Sequence, residues 1–250
     1  METLWNDKKF SPINFLLEKK ALLKSDLILS PSKFLIHELK SKYSLKSYYL
    51  PQIINKLKHP RKKNKKKIIL TFGSISPGKG SNSVINNIDS ILKLDHSIFY
   101  YWIGNVDKKY YKSNFEFEKI LKQNTDQPKR VKVLNKMNRK NLFSIINKAC
   151  IVLLPSYRDN SPNACLEALS LKKIVVARKN SGYNDLINDN HNGFLFNKKN
   201  DKDIVKKISF VLNFSNKKKT IIEKKIEKKN KDFYPKMALN KYLYYLKKLN

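Results

Sequence analysis

A glycine-rich turn is the first feature of this sequence that could bind an anion. It occupies residues 71–81, where an apolar run gives way to a helical pattern, and contains Gly73, Ser74 and Lys79. Glycine lets the backbone approach an anion closely, and the start of a helix presents amide N–H groups to it. The Lys79 ammonium would add a positive charge. The alternative is an ordinary tight turn with Lys79 in water.

The same turn nearly matches the phosphate-binding loop of nucleoside triphosphatases. Four residues separate Gly73 from the Gly78-Lys79 pair, as that loop requires. Gly80, however, stands where the loop needs a Ser or Thr hydroxyl to hold magnesium. The sequence therefore disfavours an NTPase.

A second segment, residues 154–169, places two acids around the start of a helix. Pro162 suits the first turn of that helix, Asp159 precedes it, and Glu167 lies inside it. Both acids are predicted to project toward one cleft, where carboxylates would accept hydrogen bonds from sugar and ribose hydroxyls. The alternative is a surface acid in the loop and a helix acid paired with Lys172 or Lys173.

Together these residues resemble the signature of glycosyltransferase family 4, whose members have the GT-B fold. That family has a turn like Gly-Arg-x-x-x-x-Lys-Gly, and later Pro-Ser-x-x-Glu-Gly-Phe-Pro-Asn, with a second Glu eight residues beyond the first. Residues 73–80 and 155–163 correspond to these two patterns, and Glu167 to the second acid. Segments 25–32, 182–187 and 192–196 also resemble parts of the family.

The resemblance implies a site for a nucleotide-sugar donor. Lys79 would contact the diphosphate, Glu167 the ribose and Asp159 the transferred sugar, so these three are the predicted catalytic residues. The other predicted donor-binding positions are Gly73, Ser74, Gly104, Met137, Asn160, Ser161, Asn163 and Leu166. Of these, Gly104 and the turn ending at Met137 would lie near the nucleobase.

The implied activity is transfer of a sugar, with retention, to a glycan or lipid-linked acceptor, as in polysaccharide or lipopolysaccharide synthesis. The donor is a substrate, and no cofactor or metal is expected. The expected location is the cytoplasm, with peripheral contact at the inner face of the membrane as an option.

The sequence also departs from the family pattern. Ser74 stands where the family has an Arg, which removes one of two cations from the diphosphate. Asp159 is one methylene shorter than the family's Glu, and Asn160-Ser161 replaces Gly-Phe. None of the histidines His37, His59, His96 and His191 matches the histidine of the family's amino-terminal domain.

The resemblance also implies a whole amino-terminal α/β domain, of which residues 1–57 would be only a remnant, and two enzyme-related hypotheses follow from this difference. The chain acts with a separately encoded amino-terminal domain, or it is an inactive nucleotide-sugar-binding relic or regulatory module. A basic nucleic-acid-binding protein is the remote alternative.

The elements predicted around these motifs alternate between strand and helix. Continuous apolar runs suit strands buried on both faces, and they occur at residues 68–72, 98–103, 131–134, 151–154 and 174–177. A helix is predicted from Ser30-Pro31-Ser32 to about Tyr43, followed by a short strand at 47–50. The expected fold is a Rossmann-like, doubly wound parallel α/β sheet of GT-B type, one complete domain plus a remnant of a second.

The predicted boundaries divide the chain into four parts. Residues 1–57 are assigned to the remnant, 58–66 to a basic linker, 67–215 to the nucleotide-sugar-binding domain, and 216–250 to Lys-rich helices. Apolar residues at helical spacing near 204–212 and 239–246 predict helices that pack on the sheet, with membrane-surface binding as an alternative for the last one.

Composition leaves the meaning of the positive charge open. The formal net charge is +33, yet only five of the 53 cationic residues are Arg. Proteins that recognise phosphate commonly use the bidentate guanidinium of arginine, so solvated lysines are favoured over a nucleic-acid or lipid-binding surface.

Cys150 and Cys165 have no nearby Cys or His partner and are predicted to be buried thiols in a reducing compartment. The acidic start of the chain does not resemble a secretory signal, and no apolar run is long enough for a spanning helix.

Overall fold

The structure is a computed structural model, and it describes residues 19–55, 57, 66–157, 159–160, 162–179, 182–197 and 199–248. Most of the predicted basic linker and the predicted site residue Ser161 lie outside the described residues. So do Arg158 and the first 18 residues of the chain.

A six-stranded parallel sheet forms the centre of the molecule. Its strands are β3 (Lys67–Phe72), β4 (Ile98–Ile103), β5 (Val131–Leu134), β6 (Ala149–Leu154), β7 (Val175–Arg178) and β8 (Phe194–Phe196). They lie in the order β5-β4-β3-β6-β7-β8, so the chain winds outward in both directions from β3 and β6. The predicted α/β, doubly wound fold is confirmed.

Burial on both faces explains the continuous apolar runs of the strands. In β3, Ile69 and Leu70 are fully buried although they point to opposite faces. The apolar runs in the sequence predicted five of these six strands but not β8. Its three residues give too short a run to distinguish a strand from a loop.

Helices flank the sheet or lie in the terminal parts of the described chain. They are α1 (Lys33–Tyr43), α2 (Ser81–Ile85), α3 (Ile88–Lys93), α4 (Asn114–Gln123), α5 (Arg139–Lys148), α6 (Asn163–Ser170), α7 (Tyr183–Leu186), α8 (Asp203–Leu212), α9 (Asn216–Asn230) and α10 (Pro235–Leu246). The apolar face of α8 is buried as predicted. Ile222 and Ile226 of α9 also belong to the main core.

The prediction that the apolar stripe of α10 packs on the sheet was wrong. Only Ala238 of this helix is buried, whereas Leu239, Tyr242 and Leu243 are exposed. Another part of α10 contacts the amino-terminal part of the chain, since the Tyr245 hydroxyl donates to the Tyr49 carbonyl over 3.1 Å. Helical spacing shows that a stripe exists but not what covers it.

A smaller amino-terminal unit consists of β1 (Leu29–Ser30), α1 and β2 (Tyr48–Tyr49). The two strands pair in parallel as a separate sheet, and Ile28, Leu35, Leu39 and Leu45 form a separate apolar cluster. Of the two serines predicted as possible caps of α1, Ser30 and Ser32, it is Ser32 that accepts the Leu35 N–H, over 3.1 Å. The Asp185 carboxylate of α7 accepts the Lys33 N–H over 2.7 Å and joins this unit to the main domain.

Two further properties hold for the described part of the chain. None of its helices combines the length and apolar character that crossing a membrane would require. Its His, Cys, Asp and Glu side chains form no group of three or more that could hold a metal ion.

Candidate functional site

The two predicted motif turns meet at the carboxyl ends of β3 and β6. The Tyr157 N–H donates to the Gly78 carbonyl over 3.0 Å, which joins one turn to the other. Gly80 has a φ of +86°, and a Cβ atom there would lie 2.4 Å from the Pro155 carbonyl oxygen. This position therefore needs glycine for both its left-handed backbone and its close contact.

The turn after β7 encloses the acidic loop from the other side. The Gly182 N–H donates to the Asp159 carbonyl over 2.7 Å. A Cβ atom at Gly182 would lie 2.4 Å from the Asn160 carbonyl oxygen. The loop that carries Asp159 is thus held between two glycine contacts.

Lys79 and Asp159 form an ion pair inside this arrangement. The Lys79 Nζ atom lies 2.9 Å from Asp159 Oδ2, and the two side chains are 41% and 18% exposed. A pair this accessible contributes little to stability because water competes for both charges. Its two charges are therefore available to a ligand that offers better partners.

A cavity of about 190 Å³ lies beside the ion pair. Five of the predicted site residues line it, namely Gly73, Ser74, Lys79, Asp159 and Asn163. Asn163 and Ala164 belong to the first turn of α6, where amide N–H groups have no intrahelical partner. The cavity therefore combines a cation, a carboxylate and the positive end of a helix dipole.

Glu167 lies farther along α6 and does not line that cavity. Arg139 Nη2 lies 3.4 Å from Glu167 Oε1. Burial raises the pKa of the Glu167 carboxyl above its ordinary value of 4.5, while the charge of Arg139 opposes this shift. The alternative pairing with Lys172 or Lys173 is absent, because Lys172 contacts Glu227 and Lys173 donates to backbone carbonyls.

Gly104 and the turn before Met137 are brought together at the ends of β4 and β5. The Asn114 side-chain amide donates to the Gly104 carbonyl over 2.7 Å and to Asn135 Oδ1 over 2.8 Å. Arg139, the partner of Glu167, begins α5 two residues after Met137. Glu167 is thus directed toward the same end of the sheet as this turn.

The two remaining predicted binding residues differ in exposure. The Leu166 side chain is 3% exposed and belongs to the core, so only its backbone is available for ligand contact. Asn160 is half-buried, and its Oδ1 atom has no hydrogen-bond donor among the described residues.

Eight cavity-lining residues were not predicted as site residues, among them Thr71, Trp102 and Tyr183. Thr71 and Trp102 are opposite each other in neighbouring strands, and Tyr183 begins α7. Their signal was weak because each looks like an ordinary core residue. Position at the carboxyl end of a parallel strand is the feature that could have marked Thr71 and Trp102.

A larger hollow of about 470 Å³ lies beside β8, lined by residues that include Lys179, Asp189 and Lys207. It contains none of the motif residues. The smaller cavity is the better candidate because both motif turns and the start of α6 converge on it.

Comparison with known proteins identifies relatives of this chain. Residues 53–228 match the profile of the family described as glycosyl transferases group 1. The chain is 27% identical over 154 residues to an uncharacterised glycosyltransferase of Methanocaldococcus jannaschii, covering 62% of this chain and 40% of that protein. It thus spans less than half of that relative.

Solved structures share the fold at low sequence identity. TarM of S. aureus, in complex with UDP, has a TM-score of 0.78 at 16% identity, covering 96% of this chain and 47% of that one. Anabaena HepE, in complex with UDP and glucose, has a TM-score of 0.74 at 16% identity, covering 96% and 68%. Because the family profile covers most of the chain and these folds agree with it, this chain belongs to the glycosyl transferases group 1 family, whose fold is GT-B.

Proposed function

We propose that the cavity beside Lys79 and Asp159 binds the diphosphate and sugar of a nucleotide-sugar donor. The observation that carries this proposal is the ion pair of 2.9 Å placed between the glycine turn and the start of α6. A diphosphate would attract Lys79 and the α6 amides, and Asp159 would then be released to accept sugar hydroxyls. HepE, a structural neighbour, was solved with UDP and glucose.

The proposed reaction is sugar transfer with retention to a glycan or lipid-linked acceptor, without a metal or other cofactor. When the sugar leaves, negative charge develops on the diphosphate. Lys79 and the positive end of α6 would stabilise that charge, and they are already in position before the reaction. Glu167 would hold the ribose, and the turn before Met137 would lie near the base.

The acceptor side is proposed to come from an additional α/β domain. The chain covers 47% of TarM and 68% of HepE, and the described residues of its own amino-terminal unit form a pair of strands of two residues each. Such a pair is too small to be a stable sheet alone. The exposed apolar residues of α10 offer a surface near β2 for such a domain.

The first test is calorimetric titration of the 250-residue chain with UDP-, GDP- and ADP-sugars. We expect the sugar nucleotides of one base to bind best. Lys79→Ala should weaken binding of that donor about tenfold or more, since a charge-assisted contact is lost. Glu167→Ala should weaken binding of the nucleotide but not of inorganic pyrophosphate. Lys93→Ala is the control, because Lys93 also pairs with carboxylates but lies on α3.

Absence of binding to all three donors would contradict the proposed site. Equal weakening by Lys79→Ala and Lys93→Ala would attribute the effect to overall charge.

An inactive binding module is the second candidate, and the residue that favours it is Ser74. This side chain lines the cavity but offers no charge to the diphosphate. We expect Ser74→Arg to strengthen donor binding about tenfold, or about 1.4 kcal/mol. Asn82→Arg, at an exposed position of α2, adds the same charge away from the cavity and should leave the affinity unchanged. If both substitutions act equally, Ser74 is not a diphosphate position.

A further inference from the structure

Arg178 is a buried cation that neither motif includes. It ends β7, and its side chain is 1% exposed. The guanidinium carbon lies 3.9 Å from the centre of the Tyr157 ring and 4.9 Å from that of Phe196, so two aromatic rings contact it. A cation so deeply buried is costly unless every donor has a partner.

The donors of Arg178 reach three separate segments of the chain. Nε donates to the Pro155 carbonyl over 3.0 Å, and Nη2 donates to Ser83 Oγ over 2.6 Å. Nη1 donates to Asp201 Oδ1 over 2.9 Å. Pro155 begins the acidic loop, Ser83 lies in α2 just after the glycine turn, and Asp201 precedes α8.

These contacts form a closed network around the acidic loop. The Ser83 hydroxyl donates to Asp201 Oδ2 over 2.7 Å. The Tyr157 hydroxyl lies 3.2 Å from Ser83 Oγ and 3.3 Å from Asp201 Oδ2. Pro155 and Asp159 both line the donor cavity, whereas Arg178 does not. Arg178 therefore acts on the cavity through the loop and not by touching a ligand there.

We infer that Arg178 is a positioning residue, which clamps the acidic loop at Pro155 and Tyr157 against α2 so that Asp159 stays beside Lys79. This inference rests on the proposed donor site and adds a residue to it. Buried ion pairs contribute little net stability because desolvation offsets their attraction, but their directional hydrogen bonds select one geometry. A planar guanidinium held by three acceptors and two rings is suited to that task.

The test compares Arg178→Met with Arg130→Met, which removes another buried arginine. Arg130 donates to the carbonyls of Asp95 and Ile98, at the opposite end of the strands from the cavity. UDP, GDP and ADP are titrated into each folded variant. For the nucleotide that binds wild type, we expect Arg178→Met to lower the binding affinity about tenfold and Arg130→Met to leave it unchanged.

Asp201→Asn separates positioning from a long-range effect of charge. Removing this negative charge would strengthen anion binding if Arg178 acted only through its field. If Arg178 acts by clamping the loop, Asp201→Asn weakens nucleotide binding. Arg178→Lys keeps the charge but not the planar guanidinium, so its affinity should lie between those of Arg178→Met and wild type. Stronger binding in Asp201→Asn, or wild-type affinity in Arg178→Met, would overturn the inference.

Hydrogen exchange provides a readout that needs no ligand. In Arg178→Lys and Asp201→Asn, we expect the Tyr157 amide to exchange faster, because its bond to the Gly78 carbonyl depends on the loop position. Amides of β6 should be unchanged. Wild-type exchange at Tyr157 in both variants would refute the clamp. If wild type binds none of the nucleotides, the proposed function fails, and exchange still decides the role of Arg178.

Discussion

Glu167 combines a proposed binding role with a cost in stability. Its carboxyl is half-buried beside an exposed arginine, and burial raises its pKa above 4.5. The folded chain therefore binds a proton at Glu167 more readily than the unfolded chain. It follows that the ionised form at neutral pH costs stability, and that this cost disappears as the pH falls through the raised pKa.

This sign leads to a prediction for Glu167→Gln. The variant should be more stable than wild type near neutral pH, and the difference should vanish as the pH falls through the raised pKa toward 4.5. Donor binding should favour wild type near neutral pH, because only the ionised carboxylate would accept both ribose hydroxyls. This advantage over Glu167→Gln should also vanish as the pH falls. Urea unfolding and titration calorimetry at a series of pH values measure the two effects.

Comparing wild type with Glu167→Gln at each pH cancels the titration of the nucleotide's own phosphates. A constant affinity ratio across the series would exclude Glu167 as a ribose ligand.

At the scale of elements, the site depends on how closely three turns approach one another. The glycine turn after β3, the acidic loop after β6 and the turn after β7 contact through backbone atoms. Parallel strands bring these turns to one edge of the sheet. This close approach requires that Gly80 have no side chain, because even one methyl group there would overlap the Pro155 carbonyl.

Gly80→Ala and Gly78→Ala form a matched pair that tests this contact. Gly80→Ala should lower the free energy of unfolding by about 2 to 4 kcal/mol, since it combines a left-handed backbone with a collision. Gly78→Ala has nothing within 4 Å of its new Cβ atom and should change stability by about 0.5 kcal/mol or less. Urea denaturation measures both. Equal effects would show that the turns do not approach as described.

Across the whole molecule, the amino-terminal unit meets the rest of the chain through contacts that include the Lys33–Asp185 and Tyr245–Tyr49 hydrogen bonds. The Asp185 carboxylate caps the start of α1, and a cavity of about 330 Å³ lies beside it, lined also by Lys33, Tyr49 and Phe233. The unit of β1, α1 and β2 has its own small apolar cluster. It should therefore open more easily than the six-stranded sheet.

Asp185→Ala is predicted to loosen the amino-terminal unit alone. Loss of a helix cap costs about 1 kcal/mol, and here that cost falls on α1. Hydrogen exchange should rise in residues 28–49 and stay unchanged in β3 and β6. Asp189→Ala is the control, because Asp189 accepts the Leu195 N–H and should affect β8 instead. Uniform changes across the chain would mean that the two units unfold together.

Local pattern determined much of this protein. Apolar runs predicted five strands, and the Gly73–Lys79 and Asp159–Glu167 spacings predicted the family and the candidate site residues. These signals are local, because strand burial, turn chemistry and helix starts depend on residues close together in the chain.

The contacts between those elements arise only when the chain folds. Folding paired Lys79 with Asp159, gave Glu167 an Arg139 partner, left the stripe of α10 exposed, and placed Ser83 beside Arg178 although 95 residues separate them. No local period encodes such contacts, since they depend on which strand ends become neighbours when the sheet forms. The sequence therefore indicated the chemistry of the cleft, and folding determined the network around it.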